Sequence, residues 1–537
     1  MKARVRLSAL ALVATVPVAL FAADSEPTPS SQTEVAAPVA PELVLTMSEA
    51  IVRGLDANLE VQIERLQPAI AEQERRYRMG AFDPHITGHY TYESLETPQN
   101  TRDFFATGRA VEVMQEENIR TDSNLVGLLP TGTRYKVTVV AYSLKNTLNR
   151  EALARYYPEY TTSTSLTVTQ PLLRGFGSSA TLAQAQAALS ELRASEYALR
   201  GKVDQVASQV LDAYVEAVYG HELIRVITDR IAVASQLRDE NEKRFKQGLM
   251  ASIDVMQAES TKASAEIELI RAQNFLSETE NRLRELIFSD FAQAADTPFR
   301  FADALNPVTL KESLPAIRGL ALDRSAEYQV ALQKVETQKI ELRLARNQRL
   351  PSLDLEASVG MNGLGGSFTD GFSDYGNRSQ PDYSVGLIAD IPLTFHGERA
   401  QLAKAMLTMR QAELDAKRTA NRVISQVQTA YARVVSAIQR TEASSRAVAS
   451  AAETAAAEEK RLNNGLTTSF NVLKLQDELA QARINRLEAV AEGHKALIIL
   501  WSVAGVLLDR YEISTIEAPS ARAQVNAAVA AANRASR

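Results

Sequence analysis

Two long stretches of the sequence, residues 178–287 and 398–500, exclude an ordinary compact architecture. Each is rich in alanine, has no proline and contains one glycine turn near its middle. Apolar residues recur in steps of three and four, as at Val203, Val206 and Val210, which is typical of a narrow coiled-coil seam. At about 1.5 Å per residue, residues 178–245 would form a rod of about 100 Å, which no compact domain contains.

The glycine turns of the two stretches are copies of each other, because residues 244–255 align with residues 461–472 at one fixed offset. The matched pairs are Arg244 and Arg461, Gly248 and Gly465, Leu249 and Leu466, Ser252 and Ser469, and Val255 and Val472. A glycine at positive φ ends a helix, and a serine is a preferred N-cap for the next one. Each stretch is therefore predicted to be a helical hairpin with a serine N-cap, and the chain to be a tandem duplication.

The first residues have the pattern of an export signal. Lys2, Arg4 and Arg6 precede an apolar run that ends at Phe21, which predicts a signal peptide over residues 1–23. The sequence has no cysteine, which excludes disulfides and a lipidated N-terminal cysteine, and no later segment has the roughly 20 apolar residues of a spanning helix. The net charge of −6 argues against a nucleic-acid partner. Such a chain is periplasmic, secreted or an outer-membrane β protein.

Short alternating segments next to four prolines predict β-strands. Pro84 and Pro351 stand before such segments and Pro171 and Pro392 after them, so all four are predicted strand–helix junctions. The alternation gives one apolar and one small polar face, which fits a membrane barrel with a wet interior. A soluble sheet with one solvated face has the same pattern, but the export signal and the lack of another thick core favour the barrel. A further hairpin is predicted around residues 130–133, and whether it joins the barrel stays open.

The fold class is therefore α+β, with transmembrane β-barrel strands joined to long periplasmic α-helical coiled-coil hairpins in two tandem repeats. The first repeat has a helix, strands in 84–97 and 121–172 and a helical hairpin, and the second has a helix, strands in 352–361 and 383–393 and a helical hairpin. Residues 98–120 and 362–380 are predicted to be loops. The predicted boundaries are a signal peptide at 1–23, a flexible N-terminus at 24–44, the first repeat at 45–288 with its hairpin at 178–288, a non-helical equatorial bridge at 289–313, the second repeat at 314–508 with its hairpin at 398–500, and a C-terminal tail at 509–537.

Two motifs that could carry chemistry have better structural explanations. The glycines of residues 175–180 stand where a dinucleotide-binding turn would, but the helix that follows is several times too long, so a flexible elbow is predicted. His85 and His89 have the spacing of helical zinc ligands, but on a strand they would lie about 13 Å apart. The spacing supports no Ser-His-Asp or paired-carboxylate site, so no enzyme, cofactor or metal is predicted.

Taken together, these features resemble the TolC-type outer-membrane efflux and secretion channels over residues 45–508. The resemblance rests on the duplicated helix–proline–strand order, the junction at residues 170–175, and the Arg-x-x-x-Gly-Leu tips that are followed by Asp254-Val255 and Asn471-Val472. It implies a homotrimer with a 12-stranded outer-membrane barrel, four strands from each protomer, and a helical tunnel across the periplasm. It also implies a passive exit duct of a tripartite efflux or type I secretion system, whose tips meet a periplasmic adaptor and, through it, an inner-membrane transporter.

On this resemblance, the ten matched tip residues carry adaptor docking, and Asp254, Asn471 and Lys474 are aperture candidates. The family pattern has two aspartates where Asn471 and Lys474 stand, and a tyrosine and an arginine where Leu462 and Thr467 stand. The alternative function is that of an exported coiled-coil structural or adhesion protein without transport activity, which would need no alternating strands.

Overall fold

The computed structural model of the chain describes residues 42–107, 112–147, 154–248, 251–295, 297–377, 381–464 and 466–513. The predicted signal peptide, residues 24–41 of the predicted N-terminus and residues 514–537 of the predicted tail lie outside the described residues. The helices are α1 Met47–Ala57, α2 Leu59–Met79, α3 Thr101–Thr107, α4 Ser178–Thr181, α5 Ala183–Lys246, α6 Ser252–Ile287, α7 Phe291–Ala294, α8 Leu314–Arg324, α9 Ala326–Gln348, α10 Phe368–Asn377, α11 His396–Asn463, α12 Ser469–Ala504 and α13 Leu507–Arg510. The strands are β1 Leu43–Leu45, β2 His85–Pro98, β3 Val113–Leu128, β4 Arg134–Asn146, β5 Glu159–Pro171, β6 Phe299–Phe301, β7 Ser352–Gly365 and β8 Pro381–Asp390.

The helical hairpins α5–α6 and α11–α12 dominate the molecule. Helix α5 has 64 residues and α11 has 68, so each is about 100 Å long at about 1.5 Å per residue. The single helix predicted before each set of strands is wrong in both repeats, since α1 and α2 are separate, as are α8 and α9. The first break is at Asn58, whose side-chain oxygen accepts the backbone N–H groups of Glu60 and Val61 at 2.9 and 3.3 Å and so caps a new helix.

One antiparallel sheet of six strands combines both repeats, in the order β2-β3-β4-β5-β7-β8. The repeats meet between β5 and β7, where Leu166 pairs with Val359. The family resemblance implied four strands from each protomer, whereas the sheet of this chain has six, because the β3–β4 hairpin lies inside it. The predicted loop over 98–120 is wrong, since residues 113–120 pair with β2 up to the register pair Pro98 and Val113.

The sheet has one apolar and one polar face across all six strands. One row of register partners on the apolar face consists of Ile86, Leu125, Val137, Leu166, Val359 and Tyr383. The adjacent row on the polar face consists of Thr87, Asn124, Thr138, Ser165, Gly360 and Asp382. The edge strands β2 and β8 are exposed along their whole length. Helix α10 packs on part of the apolar face over β5 and β7, where the ring of Phe368 contacts Tyr160 at 4.6 Å and the Tyr375 hydroxyl lies 3.3 Å from that of Thr164. The remainder, which includes both edge strands, is exposed, and a large exposed apolar surface is typical of a surface in contact with lipid or another chain.

The main hydrophobic core lies around the middle of α5 and α11, away from the sheet. There, Tyr214 is fully buried, donates a 2.9 Å hydrogen bond to the carbonyl of Leu45 and contacts the ring of Phe301 edge-on. Leu45 and Phe301 belong to β1 and β6, which pair in parallel as a separate two-stranded sheet. Among the described residues, no helix is both long and apolar enough to cross a membrane.

Around this core, three segments differ from the predicted domain boundaries. Residues 43–44 belong to β1 rather than to a flexible N-terminus, and the bridge at 289–313 contains the short helix α7 besides β6. The predicted tail at 509–537 is ordered at its start, because Tyr511 and Ile513 pack against the core. In the second repeat, the predicted loop over 362–380 contains the end of β7 and the helix α10.

Candidate docking tips and channel gate

The first tip joins α5 to α6. Gly248 has φ +77°, as predicted for a helix-ending glycine, and its N–H donates to the carbonyl of Phe245 at 2.8 Å. No atom lies within 4 Å of the position that a Cβ would take, so the backbone conformation alone favours glycine here. Ser252 is the first residue of α6 and is exposed, and the N-cap position is occupied by Ala251. The predicted serine N-cap is therefore wrong, and Leu249 lies outside the described residues.

The second tip joins α11 to α12 and contacts the first hairpin. Ser469 is 2% exposed, and its hydroxyl donates a 2.8 Å hydrogen bond to the side-chain oxygen of Asn241 on α5. Thr468 occupies the N-cap position, so the predicted N-cap role of Ser469 is wrong: its hydroxyl links the two hairpins instead. Gly465 lies outside the described residues. The N–H of Leu466 donates to the carbonyl of Arg461 at 2.9 Å, which closes the end of α11.

A small apolar cluster joins the two hairpins just above the tips. Its members are Ala234, Leu237, Ala258, Leu462, Val472 and Leu473. Val472 is thus a packing residue, whereas its counterpart Val255 is half-buried outside the cluster. Of the predicted docking residues, Gly248, Ser252, Arg461 and Leu466 are exposed.

An exposed apolar patch surrounds these residues, and sequence reasoning found only one of its members. The tip patch consists of Phe245, Ile253, Met256, Leu466 and Phe470, which are 46–68% exposed. Ile253 and Phe470 are the residues that follow the matched serines, so they share the offset of the repeat. Their shared position in the repeat could have identified both residues as members of the tip. The comparison of the two tips matched identical residues, and isoleucine and phenylalanine differ in type. Exposed apolar side chains grouped at the end of a rod indicate a binding surface.

The aperture candidates lie close together but do not form the family's network. The carbonyl of Asp254 accepts the side-chain amide of Asn241 at 3.2 Å, and the amide of Asn471 donates to the Thr467 hydroxyl at 3.2 Å. Lys474 is exposed, with Glu478 at 4.0 Å on the same helix. Leu462 is buried in the apolar cluster, and the Thr467 hydroxyl donates to Glu458.

A partly buried arginine makes a second polar link between the hairpins. Arg230 on α5 is 15% exposed at its side chain and contacts Asp477 on α12 at 2.8 Å and Glu268 on α6 at 2.5 Å. Burial disfavours the charged guanidinium, but the hydrogen bonds and charges of the two carboxylates outweigh it and raise the pKa of Arg230. This Arg230 ion-pair cluster joins three helices and holds the second hairpin against the first.

The prolines lie at the predicted strand–helix junctions. Pro84 and Pro351 directly precede β2 and β7, Pro171 ends β5, and Pro392 follows the end of β8. Hydrogen bonds hold the elbow after Pro171, since the Gly175 N–H donates to the Asn347 side chain at 2.7 Å and the Gly177 N–H to the carbonyl of Thr131 at 3.0 Å.

The polar face of the sheet provides no metal site in the described part of the chain, where no group of three or more histidines and carboxylates could hold an ion. His85 and His89 lie on β2, and Nδ1 of His89 is 3.0 Å from Asp122 on β3.

These observations define a class of protein, in which an exposed antiparallel sheet continues through proline junctions into two long helical hairpins. The family model described as outer membrane efflux protein matches residues 138–287 and 317–506, which make up more than half of the chain. The chain belongs to the outer membrane efflux protein family. It is an outer-membrane channel protein with its helical hairpins in the periplasm, so the predicted family, fold class and location are confirmed, and the exported structural or adhesion protein is not supported.

Two curated relatives and one solved structure show how far the similarity extends. The alkaline protease secretion protein AprF of Pseudomonas aeruginosa is 25% identical over 324 residues, which cover 60% of this chain and 65% of AprF. The proteases secretion protein PrtF of Dickeya chrysanthemi is 23% identical over 391 residues, which cover 71% of this chain and 81% of PrtF. The crystal structure of the outer membrane protein VceC of Vibrio cholerae shares the fold, with a TM-score of 0.58, 16% identity, and coverage of 86% of this chain and 96% of VceC.

Proposed function

We propose that the chain is a homotrimeric exit duct of a tripartite efflux or type I secretion system and acts as a passive conduit. The observation that carries this proposal is the continuity of a two-faced sheet, whose two edge strands are exposed along their whole length, with helices about 100 Å long that end in an exposed apolar patch. The sheet is suited to contact with lipid and the tip patch to contact with a protein. The distance between the sheet and the tips is sufficient to cross a periplasm.

The names of two relatives favour one branch of this proposal. AprF and PrtF are both described as protease secretion proteins, which supports type I secretion of a protein as the first activity to test. In this proposal, the energy for transport comes from an inner-membrane transporter, to which a periplasmic adaptor couples the duct.

The adaptor binds at the tips in this proposal. The tip patch supplies apolar contact area, and the exposed Arg461 and Gly248 supply polar groups and a close approach to backbone at its border. Ser469 and Val472 act indirectly, because both are buried between the hairpins and set the position of the second tip. Aromatic and apolar side chains at the centre of a contact commonly contribute most of its binding free energy.

Replacement of Leu466 by arginine tests the docking role. Leu466 is 68% exposed, so the change should spare the fold but place a charge in the apolar contact, and we expect export to fall at least about tenfold. Export is measured in the host as the protein released into the medium and as the ethidium retained by cells. Trimers are followed in parallel as heat-modifiable bands from membrane extracts.

Thr468→Arg is the matched control. Thr468 is exposed two residues away and makes no capping hydrogen bond through its side chain, so the same charge there should leave export near the wild-type level. Normal export by Leu466→Arg trimers would refute docking at the tip patch. Loss of the trimer in either variant would instead count against the assembly that the proposed function requires.

A further inference from the structure

We propose that the outer-membrane barrel of this protein has 18 strands, because three copies each contribute all six strands of the sheet, including the β3–β4 hairpin. The inference rests on the proposed homotrimeric duct and changes the size of its membrane pore. The family resemblance implies 12 strands. The family model matches from residue 138 onward, so β2 and β3 lie outside the match and the family does not fix their number.

The first support is the position of the hairpin in the sheet. Strands β3 and β4 are hydrogen-bonded on both sides, to β2 and to β5, over 11 or more register pairs at each border. A hairpin folded over the channel mouth would leave β2 and β5 next to each other. Instead, β3 and β4 lie between β2, the first strand that the first repeat contributes to the sheet, and β5, its last strand.

The second support is that β3 and β4 carry the same two faces as their neighbours. Leu125 and Val137 continue the apolar row from Ile86 to Leu166, and Asn124 and Thr138 continue the polar row. The Thr138 hydroxyl donates to Asn124 at 2.9 Å on that polar face. A hairpin in water on both sides would have no need of an apolar face, whereas a barrel wall between lipid and a wet lumen requires one.

The third support is the height of the apolar band. On the apolar face, Tyr92 lies in one row with Ile119, Ser143 and Tyr160, and the Tyr160 ring packs against Phe368 of α10. Directly beyond this row, on the same face, Lys145 pairs with Glu117 at 2.7 Å. An aromatic residue followed by charges marks the membrane boundary in outer-membrane barrels, and here β3 and β4 cross that boundary at the same level as Tyr92 of β2.

The fourth support is the turn between β3 and β4. It lies at the helical end of the sheet, where the Leu129 N–H donates to Thr133 at 2.8 Å and the Thr131 carbonyl accepts the N–H of Gly177 at the elbow. The connections at the opposite end, from β2 to β3 and from β4 to β5, are longer. Short turns on the periplasmic side and longer loops outside are the pattern of outer-membrane barrels.

A second copy of this chain is the partner that the two free edges fit. Six strands in antiparallel order run in opposite directions at β2 and β8, so β8 of one copy can pair antiparallel with β2 of the next. The apolar face reaches both edges, at Ile86 and at Tyr383, which keeps one lipid-facing surface across the joint. Unpaired backbone groups are not tolerated in hydrocarbon, and closure removes both edges.

The consequence for transport is a wider membrane pore. The diameter of a barrel grows roughly in proportion to its strand number, so this one would be about one and a half times as wide as a 12-stranded barrel. The β3–β4 hairpin also adds Arg120, Asp122 and Lys136 to the polar face that lines the lumen. The narrowest part of the duct then lies in the helical tunnel and its tips.

Cysteine labelling tests whether the hairpin is part of the membrane wall, and the absence of native cysteines makes each label unique. Val137→Cys and Val139→Cys on the apolar face of β4, and Thr138→Cys on the polar face, are labelled with bimane in the trimer. We expect nitroxide lipids to quench only the two valine positions and iodide only the threonine position. Val385→Cys and Ser384→Cys on β8 are the reference pair for the two faces.

Cross-linking tests closure separately. Ser384→Cys combined with Thr87→Cys, His89→Cys or Thr91→Cys should give covalent dimers and trimers on oxidation, whereas Ser384→Cys with Thr138→Cys should give none, since other strands lie between. If no pair cross-links and the chain migrates as a monomer, the homotrimeric duct itself is wrong. If trimers form but iodide quenches all three β4 positions, the 18-strand barrel is wrong and the duct stands.

Discussion

Ser252 and Ser469 occupy equivalent positions in the two repeats but have different surroundings. Ser252 is exposed, whereas Ser469 is buried and bonded to Asn241. The residue equivalent to Asn241 in the second repeat is Glu458, which accepts hydrogen bonds from Thr467 and Arg461 of its own tip. At the residue scale, the duplication therefore preserves side chains but not their roles, because only one of the two tips lies against the other hairpin.

Asp204 illustrates the cost of a charge in the helical core. It is 6% exposed on α5, and burial raises the pKa of its carboxyl to about 6, with Arg200 opposing the rise and Asp509 adding to it. Well below pH 4 the group is protonated in both the folded and the unfolded chain, and no charge is buried. Between about pH 4, where the unfolded chain loses this proton, and about pH 6, where the folded chain loses it, the free energy of unfolding falls by about 3 kcal/mol in total.

Asp204→Asn should therefore raise the midpoint of thermal unfolding at pH 7.5 and raise it much less at pH 4.5. The measurement is circular dichroism of the trimer in detergent at both values of pH. Asp56→Asn, at an exposed position, is the control and should behave alike at the two values. An equal shift for Asp204→Asn at both values would show that its ionisation does not limit stability.

At the scale of elements, the two hairpins are separate in sequence and joined by few polar links. The Arg230 ion-pair cluster is the largest of them near the tips, since it ties α5 to both α6 and α12. The side chain of Arg230 is 15% exposed, whereas those of Glu268 and Asp477 are 43% and 39% exposed, so loss of the arginine weakens the link between the helices and leaves two carboxylates that water can reach. Opening of the duct by movement of the second hairpin would have to break the contact between Arg230 and Asp477.

We expect Arg230→Ala to let the tips separate. The measurement is the distance distribution between spin labels at Lys246→Cys and Asn464→Cys, which should shift to longer distances and become broader. Arg225→Ala is the matched control, since Arg225 is exposed and, within the described residues, its ion pair is with Glu222 on its own helix at 3.1 Å. An unchanged distribution for Arg230→Ala would mean that the apolar cluster and the Ser469 hydrogen bond hold the tips without the ion pairs.

The elements also show what sequence patterns can predict. The recurrence of apolar residues every three or four positions located the long helices, and the alternation of apolar and polar residues located most strands. Both patterns could be recognised because each extends over many residues. The start of β3 was missed because Glu116, Glu117 and Arg120 interrupt the alternation, and this part extends beyond the apolar band. Strands β1 and β6 have three residues each, too few to show a period.

The candidate site was predicted in part for a similar reason. The matched motif located both tips, and Gly248 has the expected backbone conformation. The burial of Ser469 and Val472 depends on contacts with α5 and α6, more than 200 residues earlier in the chain. Packing between such distant segments leaves no local pattern, so the sequence could not distinguish the buried members of the repeat from the exposed ones.

At the scale of the whole molecule, length is the property that follows most directly from the fold. Helix α5 contributes about 96 Å and the tilted sheet about 40 Å, so the particle should be about 130–140 Å long. Small-angle scattering or electron micrographs of the trimer in detergent would measure this dimension. A longest dimension under about 100 Å would mean that the hairpins fold back on themselves and do not extend away from the sheet.

The β3–β4 hairpin starts and ends at the outer end of the sheet and turns at the helical end. A pair of strands with this geometry can be added or removed without displacing Pro84 or Pro171, and the directions of the two edge strands stay the same. The positions of the helices and the tips would stay the same after such a change. In the proposed duct, the width of the opening to the outside and the choice of periplasmic partner would thus be set by separate parts of one chain, and each could be redesigned without a change in the other.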